Sequence, residues 1–332
     1  MKSINKIAIV KLSAMGDVIH AMLALQFLKQ NNPKLEIDWF VEKAFAEVLN
    51  YNPDVSNIFI LELKKLKKSK KSIFTTIKEI KKYKNNNYDL VIDAQGLIKS
   101  AIVSKLIAKD IVGFSKESTR EGLSSYLYKY KVKIAYEENV IKRNLEVICS
   151  AFDIKVKEKD ILNKKTFLYF DKNKDMRKYE NKIIFVVGAS KVNKIYPKEK
   201  FLALANLLKE EILVVWGNEE ESSIASYLEE NSEYLIKAPR GDLNDLKAMI
   251  SMCKLLIGGD TGPTHMAWGL NKPSITLFGN TPGYRNTYLT PINKVIESNT
   301  KVDPLRLDKN DFSIREIEEE KIIELAKSLL DG

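Results

Sequence analysis

The chain has 332 residues, of which 45% are hydrophobic and 30% are charged. This length and composition allow a large buried core, predict two domains of ordinary size and exclude the class of disordered tail proteins. The formal net charge of +10 favours an anionic partner, and charge alone leaves nucleic acid, a membrane surface and a phosphorylated substrate open.

The N-terminal segment contains an apolar run of only Ile7 to Val10, too short for the core of a signal peptide. No later stretch approaches the roughly 20 apolar residues that span a bilayer. We therefore expect a cytoplasmic protein. Cys149 and Cys253 lie in apolar surroundings without CxxC spacing, so we predict core thiols rather than a disulfide or a zinc site.

Strand-like apolar runs alternate with helical patterns through the first half of the chain. A strand at 7–10 is followed by apolar residues at helical spacing from 18 to 28, which indicates a βα unit. A second helical pattern runs from 73 to 80. Further strands are predicted at 37–41, 58–61 and 90–92. The alternation predicts a parallel sheet covered by helices.

A charged segment, 153–177, interrupts the alternation and suits a linker. Strands are then predicted at 183–187, 212–216, 255–257 and 274–277, with helices at 201–208 and 243–250. We therefore predict an α/β protein with two doubly wound domains, 1–165 and 166–332. We expect the last amphipathic helix, at about 314–330, to pack on one of the two domains. Packing back on the N-terminal domain is one of the two alternatives.

Two open α/β sheets that face each other form a cleft at the carboxyl ends of their strands, where ligands bind. The first motif at such an end is KLSAMGDVIH, in which Gly16 allows close backbone approach and Asp17 stands at a helix entrance. An Asp there is usually only a cap, but it can also take a proton from an acceptor hydroxyl. His20, one helical turn further along, is expected to have an orienting or structural role rather than a catalytic one.

The second motif, GASKVNKIYPKEKF, follows the predicted strand at 183–187. Its small residues, with Ser190, Lys191 and Lys194, offer backbone N–H groups, a hydroxyl and positive charge, which a diphosphate requires. Solvated surface lysines are the alternative interpretation.

The third motif is IGGDTGPTHMAWGLNKPSITLFG, in which a buried strand ends and a helix begins near Pro263. A helix N-terminus attracts anions, and Asp260, Thr261 and His265 add specific polar contacts. The sequence has no GxGxxG or GxxxxGK[ST] pattern, so neither a dinucleotide dehydrogenase nor a P-loop NTPase is supported. In WGNE, Glu219 either accepts from a sugar hydroxyl or caps a helix.

A basic block, KKLKKSKK at 64–71, leaves three interpretations open. A solvated charged face is the commonest, a nucleic-acid arm is the second, and capture of an acidic acceptor is the third. Arg120 and Arg143 can join such an acceptor site, because guanidinium groups bind carboxylates bidentately. A surface ion pair is the alternative interpretation for each of them.

Taken together, the motifs resemble those of the heptosyltransferase family of glycosyltransferases over nearly the whole chain. The segments in the family's order are KLSAMGDVIH, DWFVE, YDLVIDAQGLIKSA, STRE, the Lys194 loop, WGNE and GGDTGPTH. The resemblance implies a GT-B fold, with two Rossmann-like domains facing a central cleft. It also implies ADP-L-glycero-β-D-manno-heptose as donor, Kdo-lipid A as acceptor, and neither cofactor nor metal.

Within the family, DAQGLIKSA and STRE favour the branch that adds the first heptose of the lipopolysaccharide inner core. The alternative is the second-heptose branch, or a member that uses another nucleotide sugar. Outside the family, a nucleic-acid-binding protein and a peripheral membrane module remain rivals. The resemblance implies a monomer at the inner face of the cytoplasmic membrane that binds no nucleic acid.

The resemblance also implies roles for individual residues. Asp17 is the expected catalytic base of an inverting single displacement, in which Lys194 and the helix after Asp260 hold the charge of the leaving ADP. The expected donor-binding residues are Met15, Gly16, Ala189, Ser190, Lys194, Glu219, Gly241, Asp260, Thr261, Gly262 and His265. The expected acceptor-binding residues are Lys64, Lys67, Lys68, Lys99, Arg120 and Arg143. The first domain then binds the acceptor and the second binds the donor.

Overall fold

The computed structural model describes residues 4–63, 70–173, 175 and 177–331. It divides into two compact units, Met1–Phe167 and Leu168–Gly332. Each unit is built on a six-stranded sheet in which every described strand pair is parallel. The predicted α/β class is confirmed.

The first unit has the strand order β3-β2-β1-β4-β5-β6. Its strands are β1 (Lys6–Val10), β2 (Glu36–Glu42), β3 (Asn57–Leu61), β4 (Leu90–Asp93), β5 (Ile111–Phe114) and β6 (Tyr130–Val132). Its helices are α1 (Met15–Asn31), α2 (Lys70–Lys82), α3 (Ile98–Ile107), α4 (Val140–Cys149) and α5 (Glu158–Leu162). The strand order reverses between β1 and β4, which is the point where doubly wound sheets bind ligands.

Helices cover both faces of this sheet, which explains why its central strands read as continuous apolar runs. On one face, Val10 and Phe40 share a core cluster with Ile80 of α2 and with Ala101 and Val103 of α3. On the other face, α1 packs against α4. The short helix α5 lies within the charged segment that was expected to be a linker.

The second unit repeats this topology with the order β12-β11-β10-β7-β8-β9. Its strands are β7 (Ile183–Val186), β8 (Ile212–Val215), β9 (Leu235–Lys237), β10 (Leu255–Gly259), β11 (Ser274–Phe278) and β12 (Asn293–Glu297). Its helices are α6 (Lys198–Leu208), α7 (Glu219–Asn231), α8 (Leu243–Met252), α9 (Gly262–Gly269), α10 (Gly283–Asn286) and α11 (Glu319–Leu330). Here the order reverses between β7 and β10.

The last helix, α11, packs on the second unit. Its residues Ile322 and Ala326 are fully buried in the core cluster that also contains Phe185 and Phe201. Cys149 and Cys253 are both buried and free, as the sequence predicted. In the part of the chain that the structure describes, no helix has both the length and the apolar character to cross a bilayer.

Candidate active site

The loop after β1 is held by the turn after β4, at the reversal point of the first sheet. The Gln95 Oε1 atom accepts hydrogen bonds from the backbone N–H groups of Leu12 and Ser13, both at 3.0 Å. Asp93 in turn fixes the backbone of this turn, because its Oδ1 accepts from the N–H groups of Gln95 at 2.9 Å and Gly96 at 3.1 Å. The β1–α1 loop therefore has a defined position before any ligand binds.

Asp93 is a fully buried carboxyl at the end of β4. Burial raises its pKa, although hydrogen bonds from the Tyr128 hydroxyl and from backbone N–H groups oppose the rise. The Tyr128 hydroxyl donates to Asp93 Oδ2 at 2.7 Å. We therefore regard Asp93 as the anchor of the turn that carries Gln95.

Asp17 lies in the first turn of α1, where its Oδ2 accepts from the Ala14 N–H at 3.1 Å. The expected cap is thus present and engages Oδ2. The side chain is half-buried, as are Met15 and Gly16 beside it. His20, one turn further along, is only 2% exposed. The structure accordingly places a carboxylate at a helix N-terminus, at the carboxyl edge of the sheet.

Two of the expected acceptor-binding cations belong to segments that touch each other. Lys99 is in the first turn of α3, and Arg120 is in the loop after β5, and both are exposed. The two segments are joined because Glu121 Oε2 accepts from the Ile98 N–H at 2.7 Å. Lys99 and Arg120 are therefore two cations on one stretch of the first unit's surface.

Arg143 is only 7% exposed and is engaged inside the first unit. Its guanidinium donates to the backbone carbonyls of Ala135 and Ser118, both at 2.5 Å, and lies 4.8 Å from the ring centroid of Phe114. This geometry gives Arg143 a packing role, so we leave it out of the proposed acceptor site. The remaining expected cations, Lys64, Lys67 and Lys68, lie outside the described residues.

The second unit contains a buried carboxylate with four donors. Asp260 Oδ2 accepts from Lys194 Nζ at 2.5 Å, Thr281 Oγ1 at 2.9 Å and Asn286 Nδ2 at 3.3 Å. Its Oδ1 lies 3.1 Å from His265 Nε2. The donors come from the loop before α6, from α9, from the turn after β11 and from α10. We call these five residues the Asp260 network.

Burial opposes ionisation of Asp260, but the hydrogen bond from His265 and the charge of Lys194 outweigh it, and its pKa lies well below the usual range. The carboxylate is thus ionised at any physiological pH. Because Lys194 has a side-chain exposure of only 15%, the ion pair also fixes the position of its ammonium group.

Backbone at the start of α9 completes this site. Thr261 is the N-cap residue and Gly262 begins the helix, so the first N–H groups of α9 have no intrahelical acceptor. Within the described part of the chain, the buried Thr261 Oγ1 has no hydrogen-bond partner. Gly259 lets the Lys194 loop pack closely, since a Cβ there would lie 2.7 Å from the Lys194 carbonyl oxygen. The arrangement supplies N–H groups, a hydroxyl and an ammonium to an anion.

The other expected donor-binding residues lie at the ends of β7, β8 and β9. Ala189 is half-buried, and Ser190 and Gly241 are exposed. The Glu219 side chain is 82% exposed and pairs at 3.3 Å with Arg240. Ala189, Ser190 and Gly241 lie on loops and Glu219 begins α7, all at the same carboxyl edge as the Asp260 network.

Sequence reasoning missed three residues at this edge. Glu221, rather than Glu219, folds back over the ends of β7 and β8, where its carboxylate accepts from the Gly217 N–H at 2.7 Å. It lies so close to Gly188 that a Cβ on that glycine would overlap it. The Asn218-x-x-Glu221 capping spacing was the available signal. No local pattern pointed to Thr281 or Asn286.

Among residues 4–63, 70–173, 175 and 177–331, no group of three or more His, Cys, Asp and Glu side chains is arranged to hold a metal ion. Lys194 balances the charge of Asp260.

Comparisons with known proteins agree with one another. Residues 76–310 match the family model described as glycosyltransferase family 9 (heptosyltransferase). Lipopolysaccharide heptosyltransferase 1 of Campylobacter coli is 38% identical, covering 98% of each chain. The protein of that name from Escherichia coli K12 is 28% identical, covering 85% of this chain and 91% of its own.

Solved structures show the fold. E. coli heptosyltransferase WaaC with ADP-2-deoxy-2-fluoro heptose superimposes with a TM-score of 0.80 and 24% identity, covering 97% of this chain and 99% of its own. A glycosyl transferase family 9 structure from Veillonella parvula gives a TM-score of 0.82 at 19% identity, covering 99% and 98%. The expected GT-B fold is confirmed.

The buried charge of Asp260 predicts a pH-dependent stability. We expect Asp260→Asn to lower the free energy of unfolding by about 3 kcal/mol near neutral pH, because Lys194 loses its buried partner. Since the folded-state pKa of Asp260 lies below its ordinary value of 3.8, the stabilisation is complete above that pH and is lost as the pH falls further. Urea unfolding of variant and wild type from pH 3 to 8 measures the difference.

The control is Asp175→Asn, which removes an ion pair with Arg177 whose side chains are 62% and 80% exposed. We expect this variant to change stability little. Equal free energies of unfolding for Asp260→Asn and the wild type at neutral pH would contradict a buried, ionised Asp260.

Proposed function

Since this chain belongs to glycosyltransferase family 9, the heptosyltransferases, we propose that it transfers L-glycero-D-manno-heptose from ADP-heptose to the Kdo of Kdo-lipid A. This reaction belongs to the assembly of the lipopolysaccharide inner core. The proposal is supported by relatives named lipopolysaccharide heptosyltransferase 1 that align along nearly the whole chain. The observation that carries the chemistry is the Asp260 network at the start of α9.

The donor's diphosphate binds at the N-terminus of α9 in this proposal. Anions bind there because the free N–H groups and the helix dipole both favour negative charge. Lys194 adds a fixed positive charge and Thr261 adds a hydroxyl without a partner in the described chain. As the bond to the sugar breaks, these groups stabilise the negative charge that develops on ADP. The proposal includes no metal ion.

Asp17 acts as the general base of a single displacement. It takes the proton of a Kdo hydroxyl, the hydroxyl oxygen forms a bond to the anomeric carbon, and ADP leaves with the electron pair of the broken bond. Attack opposite the leaving group inverts the configuration. One carboxylate suffices for this single displacement, whereas a retaining double displacement would need a second carboxylate as nucleophile.

Lys99 and Arg120 bind the carboxylate of Kdo, since Arg pairs bidentately with carboxylates and Lys contributes a point charge. Lys64, Lys67 and Lys68 remain predicted contacts of the same acceptor. Because the acceptor is a lipid, the enzyme works in the cytoplasm at the inner face of the membrane. The net charge of +10 supports approach to that anionic surface.

The proposed function is tested by mixing the purified protein with ADP-heptose and Kdo-lipid A. We expect one heptose to be added to each acceptor, as a mass increase measured by mass spectrometry. UDP- and GDP-sugars serve as donor controls, and heptosylated Kdo-lipid A serves as the control for transfer of a second heptose. Absence of product with ADP-heptose and Kdo-lipid A would refute the proposal.

Asp17→Asn should lower kcat by about 100- to 10,000-fold, because the base is lost while the side-chain size is kept. ADP affinity, measured by calorimetry, should stay near the wild-type value, since the diphosphate groups belong to the second unit. The matched control is Asp160→Asn, because Asp160 also sits in a first helical turn and accepts from an N-cap N–H, at 2.8 Å. If kcat falls equally in both variants, Asp17 acts only as a helix cap and not as the base.

Lys194→Ala should weaken ADP binding by about 10- to 100-fold, the range expected for one charge-assisted hydrogen bond. Lys191→Ala is the matched control, because Lys191 lies in the same loop and is exposed. Calorimetric titration with ADP measures both. Unchanged ADP affinity in Lys194→Ala would remove that residue from the diphosphate site.

A further inference from the structure

Six large apolar side chains are exposed on the outer surface of one helical layer of the first unit. Their exposed fractions are 39% for Ile73, 75% for Phe74, 39% for Ile98, 45% for Ile102, 66% for Leu123 and 67% for Tyr126. We call these six residues the apolar surface. Contact of so many apolar groups with water is unfavourable. An exposed apolar surface of this kind typically marks a binding site.

The three segments that carry the apolar surface are joined through α3. Helix α2 packs against α3, and the turn Gly122–Leu127 also packs against α3. Both helices cover the same face of the sheet, because Ile80 of α2 and Ala101 of α3 belong to one core cluster. The hydrogen bond from the Ile98 N–H to Glu121 ties the turn to the start of α3. The six side chains therefore belong to one continuous layer.

The apolar surface lies towards the same edge of the sheet as Asp17. Helix α2 follows β3, helix α3 follows β4, and the turn Gly122–Leu127 follows β5. Segments that follow strands of a parallel sheet begin at its carboxyl edge, which is where Asp17 follows β1. Phe74 and Ile98 lie near the starts of their helices, so they are close to the edge where the acceptor is expected.

Cations border the apolar surface. On α2, Lys78, Lys81 and Lys82 are exposed, and so is Glu79. Exposed Lys99 and Lys105 lie on α3 among the exposed isoleucines. Apolar side chains flanked by lysines match the boundary between acyl chains and anionic headgroups of a bilayer. A second copy of this basic surface would be repelled electrostatically.

We propose that the apolar surface inserts into the headgroup boundary of an anionic lipid bilayer and presents the carboxyl edge of the first sheet to a lipid-anchored acceptor. This inference rests on the proposed function, because the acceptor is then embedded in the same bilayer. The lysines bring the protein to the bilayer, and the apolar side chains hold it there.

The test uses the double variant Phe74→Ser/Leu123→Ser, in which both replaced side chains are largely exposed in the native fold. Sedimentation with phosphatidylglycerol vesicles that lack acceptor measures binding, and we expect it to weaken at least about tenfold. Transfer to Kdo-lipid A in vesicles should fall in parallel. Transfer to a water-soluble Kdo acceptor without acyl chains should match the wild type.

Leu207→Ser/Leu305→Ser is the matched control, because these leucines are 53% and 51% exposed on the second unit. The control should bind vesicles as the wild type does. The proposal is overturned if the wild type does not sediment with phosphatidylglycerol vesicles, or if Phe74→Ser/Leu123→Ser binds them equally well. It is also overturned if this substitution dissociates a wild-type dimer in light scattering, which would make the surface an interface between copies.

Failure of the proposed function gives a different result. In that case the wild type transfers heptose to neither the embedded nor the soluble acceptor. Vesicle binding without acceptor then still decides whether the apolar surface binds lipid.

Discussion

The second unit depends on one buried anion, the carboxylate of Asp260. A charge with so little contact with water is stable only when several donors surround it, and here four side chains from separate elements do so. The network therefore fixes the Lys194 ammonium and the start of α9 in the free protein. Groups that are already oriented need little reorganisation when charge develops on a leaving group, and this preorganisation is the basis of electrostatic catalysis. The buried anion is thus the reason why this edge suits a diphosphate.

In the first unit, the neutral side chain of Gln95 fixes the loop beside the proposed base. One amide oxygen, Gln95 Oε1, holds two consecutive N–H groups of the loop that leads to Asp17, and buried Asp93 holds the turn that carries Gln95. The position of the proposed base is therefore set by β4 as much as by β1. Such supporting contacts decide whether a catalytic group is held accurately enough to act. Both units thus place their polar groups where the strand order reverses.

Sequence periodicity located most of the central strands, because a strand buried on both faces must be apolar throughout. The runs at 7–10, 90–92 and 255–257 correspond to β1, β4 and β10. Four strands were missed: β5, β6, β9 and β12. The strands β6 and β9 have only three residues, which carry no measurable period. The strand β5 is four residues long and contains Gly113, which weakens its pattern. Short strands at or near a sheet edge are specified by their neighbours more than by their own sequence.

The sequence by itself determined the α/β class, the resemblance to a glycosyltransferase family and the motifs at strand ends, because these depend on local order along the chain. Only the tertiary structure revealed the partners of Asp260, since Lys194 is 66 residues away and Thr281 is 21 residues away. It also distinguished Glu221 from Glu219 and showed that Arg143 is engaged internally. The physical reason is that a parallel sheet brings the carboxyl ends of distant strands together, and burial then decides which polar groups meet there.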